Sequence, residues 1–600
     1  MTQTVSHVAT AEMLLRSRHL SYFQQHGEVY AFHNLFGYIL KMSADLAELL
    51  EFHRELRTRE EVDAEFGDHF ETEQLDEFMG VFKLFSCLIE SEVAEERSLW
   101  MMVPVRARWV VYHQPAESEL TFWRTDRDGK SSADPQPAWA ARLWQRIDNT
   151  KTLRTLYDEI KDGASLAGLE KPEKQVLETL TRWVASDRQY LKFAKAPVWK
   201  FGKEHQWPSY LKSTMPYAPW QPGTPLPPNP LEKVAEPLAP PHGYYEGEIM
   251  DAERQFRETE TTLSHLLREP HSLLGGATFS QRVAEALSKL GALDGTTRRI
   301  VEVGGGLGHV AAGVLAWIRD TLPDAYGTLE YTIVDVSPVL RAAQEKLLTE
   351  RGVADRVRWM AVNAETLDLP DASVDLLLSN EVVGDFTTVK LTRALLGLDG
   401  EKAQPEAFAD WSPDTRAKLG AAGEQLLRYQ PVLRDAPDEI YFNTGAIAFL
   451  ERVAKALRPG GAAFITEYGD VVRYPIPGTH LDHLEFSIHF GHLVTVARGL
   501  GLEADVKYLQ DLIGLDRNAY TLTTTRTYFA SMRAMLASFG VEFDKIAYTR
   551  EMFQDALEGH VPFAAIGDVR FSVVDERCMG LSPHEFKALI LKRPASAPPV

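Results

Sequence analysis

The sequence comprises 600 residues, of which 44% are hydrophobic, and this length predicts about two to four domains rather than one core. The formal net charge of −21 disfavours binding to nucleic acids or anionic lipid surfaces, and no apolar run approaches the roughly 18 residues that span a bilayer. The chain has 2 cysteines, Cys87 and Cys578, and nothing that resembles a secretory signal. These features argue against a disulfide framework and predict a cytoplasmic protein whose partners are proteins or small molecules.

The first 200 residues contain two similar stretches in which short strands precede helices. "EVYAFHNLFGYIL" begins like a hairpin, and the helical periodicity that follows includes the apolar positions Leu75, Phe78, Met79, Phe82, Leu84 and Phe85. A similar order returns in "RWVVYHQPAESELTFWRTDRDG" and the helical segments after it. We therefore predict an α+β winged-helix domain over 1–100 and a second, looser one over 101–200.

Both stretches resemble PqqD-type domains, which recognise the leader segments of ribosomally made and post-translationally modified peptides (RiPPs). The first match covers Glu28–Glu92 and the second about Arg108–Phe193. The resemblance implies that a leader peptide binds as an added strand beside the wing. The alternative is a winged helix that only packs on its neighbour or once bound DNA, although the acidity of the chain weighs against DNA.

A proline-rich segment separates these stretches from the rest of the chain. "MPYAPWQPGTPLPPNPLEKVAEPLAPP", from Met215 to Pro241, is typical of an extended linker because proline restricts φ and lacks an N–H group. We predict a linker over 201–241, and Tyr217 and Trp220 indicate that it lies against a domain surface.

The stretch "RRIVEVGGGLGHVAAGVL", Arg298–Leu315, predicts a buried strand, a glycine turn and a helix. Its glycines leave room for a ligand close to the backbone, and they are Gly304, Gly305, Gly306 and Gly308. His309 stands where a dinucleotide fingerprint requires glycine, and the P-loop pattern is absent. Glu302 precedes the turn, where its carboxylate can order the α-ammonium group of S-adenosylmethionine (SAM).

Polar residues follow three further predicted strands. Asp335, followed by Val336, can bind both ribose hydroxyls, the corner at Asn363 and Ala364 can accept the adenine amino group, and Asn380 ends another strand. Ligands of open α/β sheets bind at the carboxyl ends of the strands, where all these residues fall. The pattern predicts a Rossmann-like α/β sheet and favours SAM over NAD as the cofactor.

Residues His242–Pro594 resemble the MidA family of SAM-dependent methyltransferases, which includes the mitochondrial complex I assembly methyltransferase. The motifs that carry the resemblance are "HGYYEG", "VEVGGGLG", "YTIVDVSPVLRAAQEKL", "SNEVVGDF", "FITEYGD" and "ERCMGLSPHEFKALIL". The resemblance implies a class I methyltransferase domain over 242–600 that methylates arginine in a protein. Three positions depart from the family pattern: Gly305 replaces a proline, Gly384 replaces an acid that Asp385 follows one residue late, and Glu467 replaces an aspartate.

Methyl transfer requires a group that positions the acceptor and takes its proton. The candidates at the ends of strands four and five are Asn380, Glu381, Asp385, Glu467, Tyr468 and Asp470. Glu381 and Glu467 are suited to flank a guanidinium group. The alternative is that Glu381 caps a helix and that Glu467 contacts the cofactor or a neighbour.

Two further segments have more than one explanation. "HLDHLEFSIHFGH" contains His480, His483, His489 and His492, but their spacing fits no familiar ligand pattern, so we predict no metal site and a substrate-facing loop. The insertion 386–440 and the helix near 523–540 are expected to cover the substrate entrance. Plain packing or a dimer surface would explain the same patterns.

We therefore expect a SAM-dependent methyltransferase that modifies a precursor peptide held by its leader, with N-methylation favoured. The alternatives are an arginine methyltransferase that acts on a folded protein and a non-catalytic assembly factor that binds SAM. The expected partners are the peptide or protein substrate, with no nucleic acid and no membrane, and homodimerisation stays open.

Overall fold

The computed structural model of the chain describes residues 12–25, 27–107, 110–126, 130–185, 187–196, 218–238, 262–398, 408, 411–433, 436–480, 483–515, 521–522, 526–543, 545, 547–567, 569 and 585–595. The motifs "HGYYEG" and "ERCMGL" lie outside these residues. Among the residues described, no helix has the length and apolar character needed to cross a membrane.

The first repeat consists of a short strand, a three-stranded meander, three helices and a closing strand. Ser43 and Thr58 begin the first two helices, because their hydroxyls accept N–H groups that have no partner within the helix. The elements are β1 (Met13–Arg16), β2 (Leu20–Gln25), β3 (Glu28–His33), β4 (Tyr38–Met42), α1 (Ala44–Phe52), β5 (Arg57–Thr58), α2 (Arg59–Phe66), α3 (Thr72–Leu84) and β6 (Leu88–Ile89). Helix α4 (Glu92–Leu99) leads to the second repeat.

The second repeat has a similar order of elements, but it has four helices and no counterpart of β5. Its elements are β7 (Val103–Arg106), β8 (Val111–Ala116), β9 (Glu119–Thr125), β10 (Ser131–Gln136), α5 (Ala138–Arg146), α6 (Leu153–Ile160), α7 (Ala164–Ala167), α8 (Pro172–Val184) and β11 (Leu191–Ala194). In each repeat the closing strand pairs antiparallel with the first strand, β6 with β1 and β11 with β7. The described structure thus contains two similar arrangements, and their assignment to PqqD-type domains stays a prediction.

The proline-rich linker joins the first repeat to the C-terminal part. Strand β12 (Ala218–Pro219) pairs antiparallel with β2, and the N–H of Trp220 donates to the carbonyl of Tyr22 at 3.0 Å. Trp220 is 8% exposed and belongs to the hydrophobic core of the first repeat. The linker therefore contributes a side chain to that core and does not only lie on the domain surface. Further along, Leu238 N donates to Thr388 O at 3.0 Å. Tyr217 lies outside the described residues.

The C-terminal part is built on a β-sheet in which seven strands follow the order β15-β14-β13-β16-β19-β27-β23. An eighth strand, β22, pairs with β19. Five neighbouring strands are parallel, whereas β27 is antiparallel to both β19 and β23. The strands are β13 (Arg299–Val303), β14 (Glu330–Val334), β15 (Val357–Met360), β16 (Val374–Asn380), β17 (Val389–Thr392), β18 (Glu439–Phe442), β19 (Leu457–Asp470), β20 (Pro477–His480), β21 (His483–Phe486), β22 (Ile488–His489), β23 (Glu503–Tyr508), β24 (Thr521–Leu522), β25 (Ala547–Tyr548), β26 (Ile566–Gly567) and β27 (Phe586–Lys592).

Helices cover both faces of this sheet and form two hydrophobic cores. One core contains α10 and α11, and the other contains α15, α16 and α17. The helices are α9 (Leu263–Leu266), α10 (Phe279–Lys289), α11 (His309–Thr321), α12 (Pro323–Tyr326), α13 (Pro338–Glu350), α14 (Arg393–Leu396), α15 (Pro413–Tyr429), α16 (Thr444–Ala456), α17 (Phe490–Gly499), α18 (Leu509–Leu512), α19 (Arg526–Ser538) and α20 (Arg550–Leu557). Short 3-10 turns lie at Ser272–Leu274, Ala354–Arg356, Ala364–Thr366, Val383–Asp385 and Phe563–Ala565.

The two helices that were expected to cover the substrate entrance have other neighbours. Helix α15, within the insertion 386–440, packs on α16 and α17, whereas α19 packs on β8, β9 and β10 of the second repeat. Strand β26 also pairs with β8, and the Thr125 and Ser531 hydroxyls lie 2.8 Å apart. Packing therefore explains both apolar patterns, and α19 joins the second repeat to the C-terminal part.

We predict that Trp220→Ala destabilises the first repeat by about 3 kcal/mol, because a large buried side chain leaves a cavity. The midpoint of denaturant unfolding, followed together with proteolysis of the first repeat, measures the effect. Val472→Ala is the control, since Val472 is 75% exposed and its truncation should change stability by less than about 0.5 kcal/mol. Equal stability of the two variants would contradict the packing of the linker.

Candidate active site

A pocket lies at the carboxyl ends of β13, β14 and β16, where the topology brings their following turns together. All the predicted cofactor residues except Gly308 line it: Glu302, Gly304, Gly305, Gly306, Asp335, Val336, Asn363, Ala364 and Asn380. Gly308 instead begins α11 with a left-handed φ of +86°. The lining residues that the sequence analysis missed include Thr262, Ser264, His265, His309, Val382 and Phe386.

The glycine turn has no space for side chains at its first two positions. A Cβ at Gly304 would lie 2.3 Å from Cγ2 of Val382, and the φ of Gly304 is +71°. A Cβ at Gly305 would lie 2.6 Å from Cγ2 of Ile333, so the proline of the resembled family would not fit here without a shift. The backbone itself therefore forms this wall of the pocket.

Glu302 is a buried carboxylic acid at the base of the pocket. The Tyr331 hydroxyl donates to Oε2 of Glu302 at 2.8 Å, and Glu302 is 1% exposed. Burial raises the pKa of Glu302 to about 8, and the nearby charge of Asp335 contributes in the same direction. The group is thus poised to become ionised when a cation binds beside it.

Asp335 is held in place by the turn that follows it and by a glutamine. Its Oδ1 accepts from Ser337 N at 3.0 Å, and its Oδ2 accepts from Gln344 Nε2 at 2.9 Å. Gln344 Nε2 also donates to Gly306 O at 2.9 Å, so one amide ties the carboxylate to the glycine turn. Burial raises the pKa of Asp335.

The sequence analysis missed Gln344, although a signal for it exists. The buried positions of α13 are Leu340, Gln344 and Leu348, so a glutamine interrupts an apolar stripe of helical spacing. A polar residue in such a stripe needs buried partners, and Gln344 finds them in Asp335, Gly306 and the Trp359 indole, which donates at 3.2 Å.

Asn363 lines the pocket and also begins a 3-10 turn. Its Oδ1 accepts from Glu365 N at 2.8 Å. A carbonyl oxygen can accept two hydrogen bonds, so the contact with the adenine amino group stays a prediction. Apolar residues surround this side of the pocket, namely Val336, Leu340, Val362 and Ala364.

Asn380 and Glu381 connect the end of β16 to helix α9. Thr466 Oγ1 donates to Asn380 Oδ1 at 2.8 Å, and Asn380 Nδ2 donates to Ser264 Oγ at 3.2 Å. Glu381 has a left-handed φ of +55°, and its Oε1 accepts from Leu263 N at 3.1 Å. Glu381 therefore caps a helix, as the alternative explanation stated, while it also lines the pocket.

Glu467 and Tyr468 do not line the pocket. Glu467 is buried, and its carboxylate accepts from Gly384 N at 2.9 Å and from Tyr468 N at 2.8 Å. Burial raises the pKa of Glu467 to about 8, with the charges of Glu485 and Asp385 adding to the effect. Glu381 lines the pocket and Glu467 does not, so the pairing of the two acids around an acceptor stays a prediction.

The departures from the family pattern at Gly384 and Glu467 compensate each other. A Cβ at Gly384 would lie 2.9 Å from Phe486 O and 3.2 Å from Glu467 Oε2. The longer side chain of Glu467 therefore uses the space that glycine leaves. Tyr468 packs on Phe586, with ring centroids 6.0 Å apart, and burial raises the pKa of Tyr468 to about 12.

The four histidines near β21 do not act as one group. His489 and His492 stack with centroids 3.6 Å apart, and burial lowers the pKa of His489 to about 4 and of His492 to about 3. His483 instead contacts Asp385, and the ligand atoms of Asp385, His483 and Glu485 all lie within 4.8 Å, a spacing that could also hold a metal ion. The side chain of His480 lies outside the described part of the structure.

The strand order, the glycine turn and the acids after the first two strands define a Rossmann-like nucleoside-binding domain of the methyltransferase class. Residues 279–483 match the model of a family described as "Putative S-adenosyl-L-methionine-dependent methyltransferase". The matched segment contains every pocket residue from Glu302 to Phe386. This C-terminal domain is a SAM-dependent methyltransferase domain, and its cofactor is SAM. The match does not reach the two N-terminal repeats.

The solved structures that resemble this chain share little sequence identity with it. A protein from Burkholderia thailandensis, described as a "likely methyl transferase" and bound to S-adenosyl-homocysteine, is 18% identical to this chain. The comparison has a TM-score of 0.32 and covers 60% of this chain and 89% of that chain. The 1,6-didemethyltoxoflavin-N1-methyltransferase of Burkholderia thailandensis is 17% identical, with a TM-score of 0.22, over 38% of this chain and 70% of that chain. No curated protein matches the sequence.

We predict that Gly304→Ala weakens S-adenosyl-homocysteine binding by about tenfold or more, because the new methyl group displaces Val382 into the pocket. Isothermal titration calorimetry measures the affinity. Gly352→Ala is a matched control, since Gly352 also has a positive φ, of +66°, but a Cβ there meets nothing within 4 Å. The prediction fails if both variants bind as the wild type does.

We predict that S-adenosyl-homocysteine binds more tightly as the pH rises from 6 towards about 8, because its ammonium displaces the proton of Glu302. The raised pKa means that free Glu302 is largely protonated below about 8, whereas the bound cation lowers that pKa, so binding releases a proton in this window. Above about 8 the ligand's own α-amino group loses its charge and affinity falls again.

Calorimetry in buffers of different ionisation enthalpy counts the released proton. Glu302→Gln should abolish the rise between pH 6 and 8 while retaining a side chain of similar size. An unchanged pH dependence in that variant would exclude Glu302 as the titrating group.

Proposed function

We propose that this enzyme N-methylates a ribosomally made precursor peptide, which the first N-terminal repeat holds through its leader. The observation that carries the proposal is one open sheet edge in that repeat. Strand β4 pairs only with β3 among the described residues, so its outer edge is available to an added strand.

The other three outer edges of the two meanders are less suitable for strand addition. The linker strand β12 pairs with β2, and β26 pairs with β8. Strand β10 contains Pro135, which has no N–H group, and the carbonyl of Asp134 accepts from Gln136 Nε2 at 2.9 Å. Strand β4, "YILKM", contains no proline, and this contrast favours the first repeat as the binding unit.

An electrostatic interaction links the first repeat to β18. Lys41 on β4 pairs with Glu28 on β3 at 2.6 Å. Burial, together with the charges of Glu439 and Glu28, raises the pKa of Tyr441 on β18. The Tyr441 ring packs on Phe486 of β21, with centroids 5.1 Å apart. A peptide on β4 would therefore be tethered near the methyl-transfer site, which raises its local concentration.

The charges of the pocket favour a nitrogen acceptor. Glu381 and Asp385 line the pocket, and Glu467 lies behind it. Carboxylates attract an ammonium or guanidinium group and can accept the proton that must leave before attack on the methyl carbon. An arginine methyltransferase that acts on a folded protein would use the same charges and would need no strand on β4.

Intact-mass spectrometry tests the proposal. The full chain is co-expressed with each short peptide encoded beside its gene, and the expected product carries at least one added methyl mass. Asp385→Asn should abolish the gain. A gain found only on an arginine of a folded protein would favour the alternative enzyme, and no gain on any protein or peptide would favour the non-catalytic assembly factor.

Photo-crosslinking locates the leader. We predict that p-benzoylphenylalanine at Lys41 crosslinks the co-expressed peptide, because this exposed position lies on the open strand β4. The matched control is the same substitution at Ala133, an exposed position on β10. Crosslinking from Ala133 alone would move the leader to the second repeat, and crosslinking from neither would contradict strand addition.

A further inference from the structure

A histidine lies behind one of the pocket carboxylates. In strand β21, His483 and Glu485 are two positions apart, so both side chains point to the same face of the strand. That face meets the 3-10 turn Val383–Asp385, which follows the central strand β16. His483 thus approaches a catalytic candidate that is 98 positions earlier in the sequence.

The contact between the two side chains is short and shielded from water. His483 Nε2 lies 3.0 Å from Asp385 Oδ1, and the side chains of His483 and Asp385 are 5% and 18% exposed. The backbone fixes the turn, because Asp385 N donates to Val382 O at 3.0 Å. Only Asp385 of this pair lines the pocket, so the imidazole acts on a ligand through the carboxylate.

We propose that His483 is a positioning residue for methyl transfer: its Nε2–H donates to Asp385 and orients that carboxylate towards the acceptor nitrogen. The inference rests on the proposed N-methylation and deepens it, since it assigns the base. A hydrogen bond to a carboxylate fixes the direction in which its oxygens point, and in a partly buried site such a bond is strong.

Methyl transfer then involves the loss of one proton from the acceptor and the gain of one methyl group. An acceptor ammonium gives a proton to the Asp385 carboxylate and becomes a neutral amine. The nitrogen lone pair attacks the methyl carbon of SAM, the carbon–sulfur bond breaks, and its electron pair stays on sulfur, which gives S-adenosyl-homocysteine. The methylated nitrogen carries the positive charge, and Asp385 returns its proton to water after product release.

Sinefungin provides a test that needs no peptide. It replaces the methyl-bearing sulfur of SAM with a carbon that bears an amine, so its ammonium occupies the acceptor side, whereas S-adenosyl-homocysteine lacks this group. Calorimetry on the full chain gives the ratio of the two affinities. This ratio isolates the interaction of the ammonium with Asp385.

Two substitutions of similar size distinguish positioning from packing. In His483→Gln the amide nitrogen can take the place of Nε2, whereas the shorter side chain of His483→Asn cannot reach it. We expect the sinefungin preference to fall by about tenfold in His483→Asn and to remain in His483→Gln. His560→Ala is the control, because His560 is an exposed histidine far from the pocket in sequence.

Several results would overturn the inference. Equal ratios in the wild type, His483→Asn and His483→Gln would exclude positioning, and a loss of equal size in both variants would indicate packing alone. A stoichiometric metal ion in the purified wild type that disappears in His483→Asn would replace the hydrogen bond with a metal site. Failure of the peptide mass experiment with the sinefungin result intact would remove the peptide substrate but retain the ammonium-binding carboxylate.

Discussion

The close approach of backbone to ligand at the glycine turn is the constraint on which the site depends. Gly304 and Gly305 have no room for a Cβ because Val382 and Ile333 occupy the space beside them. Gln344 on helix α13 donates to both Gly306 and Asp335, so this helix, the turn after β13 and the end of β14 are held in one arrangement. The shape of the pocket therefore depends on small residues at the turn and large ones around it.

Buried acids give the pocket its preference for cations. Glu302 and Glu467 both have a pKa raised to about 8 by burial, one at the cofactor end and one behind the acceptor side. A neutral carboxylic acid in the free protein becomes a carboxylate when a positive charge arrives, so cation binding is coupled to proton release. SAM carries such charges itself, and a nitrogen acceptor would bring another.

The linker gives the N-terminal repeats a defined relation to the catalytic domain. At one end it adds a strand to the first repeat and places Trp220 in its core, and at the other it bonds to the backbone of β17 beside the pocket. The second repeat is joined separately, through β26 and α19. The first repeat is thus joined to the C-terminal part through the linker, and the second repeat through strand pairing and side-chain packing.

The sequence alone determined the parts of the site that follow from local pattern. Alternating strands and helices predict a parallel sheet, and the ends of its strands must meet, so Glu302, the glycines, Asp335 and Asn380 could be assigned in advance. Only the tertiary structure decided which distant residues complete the site. Helix α9, Gln344 and the contact of His483 with Asp385 depend on how separate segments pack, and the burial of Glu467 depends on the absence of a side chain at Gly384. Such contacts join positions that are far apart in the chain. Periodicity and motifs are local patterns, so they do not predict which distant residues come into contact.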